Sequence, residues 1–247
     1  LQLIFTFIIL SIITLIAVLL IVLNKNTRSG KIQQIAKEND WQYQEFIDFD
    51  DDIKQANFGL LNYSQNAIFR HLIQATDEHY GLAFKTFDCR ALEPSGIHNS
   101  SLILFTLALK TEFNNLHICL SRHIQDKDAF TDISHQQSIK HQYQSQKLIK
   151  LADHQIPKAF KNETSTSHKI NLYANEPGQT YRFFEHVCST NEREKSLIHW
   201  LLAYPHLHIE ISNGMLLAFK KNQLIEETSL ISAITAVAEF ALILSHD

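Results

Sequence analysis

Between Leu3 and Leu23 the chain reads LIFTFIILSIITLIAVLLIVL, 21 residues without a charge and with only Thr6, Ser11 and Thr14 polar. A helix rising about 1.5 Å per residue covers roughly 30 Å over that length, the thickness of a bilayer hydrocarbon core. The three hydroxyls can bond back to helical carbonyls, so they do not forbid insertion. A secretory leader fits poorly, because its apolar region runs about 7–15 residues and ends in a small-residue cleavage site. Here the run passes directly into Asn24-Lys25-Asn26-Thr27-Arg28. The pattern predicts a transmembrane helix within residues 1–23.

Lys25, Arg28, Lys31 and Lys37 follow the span. The positive-inside rule then places residues 24–247 in the cytoplasm, as the C-terminal domain of a single-pass inner-membrane protein. The same four cations suit anionic headgroups at about 1 kcal/mol each near a membrane surface, although topology explains them equally well. Cys89, Cys119 and Cys188 are odd in number, widely spaced and without a CxxC, which suits a reducing compartment. The C-terminal run Leu230–Leu244 is apolar but short for a span and contains Glu239, so it predicts a buried helix.

The remaining chain reads as α+β, with an antiparallel β-meander, a polar insertion, two helices, a β-hairpin and a C-terminal helix. Residues 24–40 form a juxtamembrane helix carrying Ile32, Ile35 and Ala36 on one stripe, expected to rest near the headgroups. Residues 41–123 form a β-rich lobe with strands at 67–74, 82–89, 101–109 and 116–121. The acidic run Asp48–Asp52 lacks the glycine of a calcium loop and reads as a solvated turn or helix start. Residues 124–168 form a polar insertion or linker, with a weakly amphipathic helix at 135–150. Residues 169–247 form an α+β lobe with a strand at 170–174 and helices at 180–188, 192–203 and 228–244. Asn213-Gly214 between apolar runs is the strongest short-range hairpin signal, since a type I′ turn needs two residues at positive φ.

Phosphate loops, HExxH, G-x-S-x-G and SxxK are all absent from the sequence. With 22 basic against 26 acidic residues and a net charge of -4, nucleic acid is not an expected partner. Fourteen histidines invite a metal reading. His206, His208 and Glu210 alternate along one predicted strand and share a face, two imidazoles and a carboxylate of the kind zinc takes. The same alternation describes any strand with its opposite face in the core. His117, Cys119 and His123 make a weaker set of the same type, and Asp88 and Glu185/His186 read as structural.

Phe58-Gly59-Leu60, Gly81 with Phe87-Asp88, Ile209-Glu210 and Gly214-x-Leu216-Leu217 resemble a family of uncharacterised bacterial proteins. These have one N-terminal transmembrane helix and a cytoplasmic α+β domain. The resemblance implies that architecture and no catalytic residue or cofactor. The expected function is a membrane-anchored cytoplasmic binding or scaffold module without catalysis of its own. Its partners would be the lipid bilayer and another membrane or cytoplasmic protein. The alternatives are a membrane-tethered hydrolase with a dispersed His/Asp/Ser site, or a metal-responsive domain.

Overall fold

A computed structural model describes residues 13–14, 27–47, 51–58, 61, 67–93, 96–124, 147–152, 155–156, 168–220 and 222–245. The predicted span over 3–23 therefore lies outside the described residues, apart from Ile13 and Thr14, which are helical. The elements run α1 (Arg28–Glu38), β1 (Gln42–Phe46), α2 (Asp51–Ala56), β2 (Ile68–Thr76), β3 (Ala83–Glu93), β4 (Gly96–Thr106) and β5 (His117–Ile124). They continue with β6 (Ile149–Lys150), β7 (His168–Ala174), α3 (Pro177–Val187), α4 (Asn191–Ala203), β8 (His208–Ser212), β9 (Met215–Phe219) and α5 (Leu230–Leu244).

Among the described residues, nine strands join one antiparallel sheet in the order β1-β2-β3-β4-β9-β8-β5-β7-β6. β1 to β4 form a meander, in which β2, β3 and β4 are the first three of the four strands expected and β1 is an added edge strand. β5 does not continue it, because the β8–β9 hairpin inserts between β4 and β5. Asn213 and Gly214 turn that hairpin at φ 49° and 72°, as their sequence requires. Both of its strands are buried after their first residue. A central position follows from this, since a strand apolar on both faces gains most where both neighbours are strands. The chain before and after the polar insertion thus contributes to one sheet. Within that insertion, Ile149 and Lys150 are an edge strand paired with Ala174 and Tyr173, where helix was expected. The rest of the predicted 135–150 helix lies outside the described residues.

α1, α3, α4 and α5 cover one face of the sheet. Their side chains Ile32, Phe183, Trp200 and Phe240 share a core with Phe84, Phe105, Ile118 and Leu216 from the strands. α5 buries Leu230, Ile234, Val237, Ala241 and Leu244, the stripe its sequence predicts. Trp200 stacks on Phe240 at 4.1 Å between ring centres and donates its indole N–H to the Ala236 carbonyl at 2.6 Å, fixing α4 to α5. The helical stretch Glu227–Leu244 is, among the described residues, the one long and apolar enough to cross a membrane. In this fold its apolar side is turned onto the sheet. The second face is thinner. Ile53, Ala56 and Phe58 cover Phe87, Leu102, Leu104 and Leu217, and Leu148 with Tyr173 covers Cys119.

Candidate functional sites

Two polar clusters are built into the sheet, one on each face. On the helical face the first begins with α1. Thr27 caps this helix, its side-chain oxygen accepting from the Gly30 N–H at 3.2 Å. The Ile32 and Ala36 side chains are buried against the sheet rather than presented outward. With the helix so fixed, Arg28 in its first turn reaches Asp88 on β3. Nε donates to one carboxylate oxygen at 2.7 Å and Nη2 to the other at 2.9 Å, a bidentate fork. Nη1 donates to the Ile225 carbonyl at 2.8 Å and to Glu227 at 3.2 Å, and Nη2 also to Ser101 Oγ at 3.1 Å.

Asp88 collects further donors. Ser101 Oγ donates to it at 2.6 Å and His71 Nδ1 lies 3.0 Å away. His71 attains this position through a bulge: the β2–β3 register shifts between Arg70 and Ile73, and His71 takes φ 58°. Burial by itself raises the Asp88 pKa. Hydrogen bonds from His71, Arg28 and Ser101, with the charge of Arg28, reverse this and hold it at about 2. For Arg28 burial favours loss of the proton, and the carboxylates of Asp88 and Glu227 outweigh it, so the pKa is raised. Ser100 and Ser101, buried polar residues of β4, also accept from the Asn222 and Ile225 N–H groups. One network therefore ties α1, β2, β3, β4 and the segment leading into α5.

This changes the setting of the membrane-flanking cations. Arg28 is committed to Asp88, and Lys31, half exposed, lies 3.7 Å from Glu227. Lys37 is exposed in the last turn of α1, and Lys25 lies outside the described residues. In the sequence Asp88 reads as a single acid with a structural role. The available signal was an acid between Phe87 and Cys89 in a strand, since a carboxylate on a covered face needs a cation.

The second cluster occupies the opposite face. The structure places His206 in an exposed turn before β8, so the alternation of that strand does not reach it. The His208 ring stacks on Phe219 at 5.3 Å. Glu210 instead meets the neighbouring strand β5: His117 Nε2 lies 2.7 Å from its Oε1, and Cys119 Sγ lies 4.0 Å from the same imidazole nitrogen. The expected wet face of β8 is in fact covered, with Glu210 3% and His117 7% exposed. Cys119 and Glu210 are direct cross-strand partners, and Cys119 in turn faces Tyr173 on β7. Burial and the neighbouring Cys119 raise the Tyr173 pKa. Each of the two candidate metal sets drawn from the sequence thus contributes members to one cluster, because strand pairing rather than chain spacing brings them together.

A groove of about 510 Å³ opens beside Trp41, Gln42, Gln74, Lys85 and Met215. Among the described residues its lining also carries Asp40, Glu78, Thr76 and Thr106, and its Gln74 side chain donates to Gln42 at 2.6 Å.

Comparison with known proteins adds one fold relative. A solved structure, the crystal structure of the mycobacterial trehalose monomycolate transport factor A, TtfA, is similar with a TM-score of 0.52 and 11% sequence identity. The match covers 87% of this chain and 93% of that one. At that identity the likeness is one of fold. No family model matches the sequence, and no curated protein does.

Proposed function

We propose that this chain is a single-pass inner-membrane protein, anchored by residues 3–23, whose cytoplasmic α+β domain is a non-catalytic binding or scaffold module. The Arg28–Asp88 clasp carries the reading. From Leu23, the last residue of the apolar run, to Arg28 is five residues, a reach of at most about 18 Å by any path. Arg28 is fixed to the sheet by both carboxylate oxygens of Asp88. A bilayer holding residues 3–23 therefore keeps Arg28, and the sheet it is bonded to, close to the membrane surface. That geometry suits a protein that presents a surface to membrane partners. The structural likeness to a transport factor supports an accessory role beside membrane transport machinery. The resemblance to single-span bacterial proteins agrees with this architecture.

Fractionation of cells expressing the full chain tests the anchor. The protein is expected in the inner membrane, resistant to alkaline extraction, with the domain cleaved by protease only when the cytoplasmic side is open. Recovery of the domain from the periplasm would overturn the reading. Purification in mild detergent tests the module: a membrane or cytoplasmic protein is expected to co-purify, and its repeated absence counts against a scaffold.

A further inference from the structure

We propose that His117, Cys119 and Glu210 form a binding site for one zinc ion, a function independent of the anchoring role above. One imidazole nitrogen, one sulfur and one carboxylate oxygen, one from each residue, all lie within 4.8 Å of one another. All three side chains are buried, and they project from neighbouring strands on the same face of the sheet. Nitrogen, sulfur and carboxylate oxygen together are a borderline-soft donor set that suits zinc and not magnesium or calcium. With zinc–sulfur bonds of about 2.3 Å and zinc–nitrogen bonds of about 2.0–2.1 Å, a tetrahedral site has a sulfur–nitrogen edge of roughly 3.5 Å. The observed edge is 4.0 Å. It would close slightly while the 2.7 Å His117–Glu210 contact opens. Side-chain rotation supplies both movements without moving a strand. Leu148 and Tyr173 cover the sulfur side of the cluster, apart from the main core of that face. Zinc with three protein ligands takes a water as its fourth.

Charge also favours the ion. Zinc binding displaces the thiol proton to solvent and leaves thiolate and carboxylate balanced against a divalent cation.

The test uses the full chain in detergent, stripped with chelator and titrated with cobalt, then zinc. The expected result is a near-ultraviolet sulfur-to-cobalt charge-transfer band with tetrahedral visible bands, bleached by one equivalent of zinc. Cys119→Ser is expected to lose the sulfur band, and Glu210→Gln to weaken zinc binding by about tenfold or more, the scale of losing one ligand-sphere contact. Absence of a sulfur band in the unsubstituted chain overturns the proposal, whether or not the variants fold. A sulfur band that survives in Cys119→Ser also overturns it, since the thiolate would then be Cys89 or Cys188.

Discussion

The two polar clusters differ in the chemistry of the groups they bring together. Around Asp88, both carboxylate oxygens accept from Arg28, and Ser101 and His71 complete the shell. Around Glu210, deeper in the sheet, His117 Nε2 lies 2.7 Å from the carboxylate and Cys119 Sγ 4.0 Å from the same imidazole nitrogen. A charge-assisted, fully bonded network is stiff and sets geometry. A nitrogen, a sulfur and a carboxylate oxygen brought together are instead a donor set for a metal ion. The helical-face cluster thus belongs to architecture, joining the segment after the apolar run to the sheet, and the second-face cluster to ligand chemistry.

Four measurements bear on that contrast, and the largest effect is expected from Asp88→Ala. This leaves Arg28 partly buried without its main counter-charge, for a loss of about 3 kcal/mol in denaturant unfolding. Faster hydrogen exchange is expected in α1, because the clasp that docks its first turn is gone. The second is acid sensitivity. The folded pKa of Asp88, about 2, lies below its ordinary 3.8. Its contribution is therefore complete above about pH 4 and is lost as pH falls from 4 through 2, roughly 2 kcal/mol in total. Asp88→Asn is expected to remove that part of the slope. Third, Arg28→Lys keeps the charge but not the fork, and a loss of about 1–2 kcal/mol in thermal unfolding is expected. The smallest effect belongs to Glu210→Gln without metal. It retains a hydrogen bond to His117, so its cost should be about 1 kcal/mol or less. Equal losses at Asp88 and Glu210 in metal-free protein would break the contrast.

Legibility in the sequence followed the range of each interaction. The Asn213-Gly214 hairpin, the stripe of α5 and the helices around Phe184 and Trp200 were readable, because turn geometry and helical periodicity are local. β1 was not, since Gln42–Phe46 is largely exposed and polar at the sheet edge. The zinc candidates were half readable. Glu210 stood in one predicted set and His117 and Cys119 in another, separated by 93 positions between His117 and Glu210. Nothing in either run of residues says that β8 pairs with β5.

The sequence by itself determined the apolar opening run, the turns, the helix stripes and the alternation of the strands, all of which depend on neighbours within a few residues. Only the tertiary structure decided that β8 and β9 lie between β4 and β5, that Arg28 meets Asp88, and that Glu210 meets His117. Those contacts depend on strand order, and strand order is set by which faces can be buried together once the whole sheet has formed.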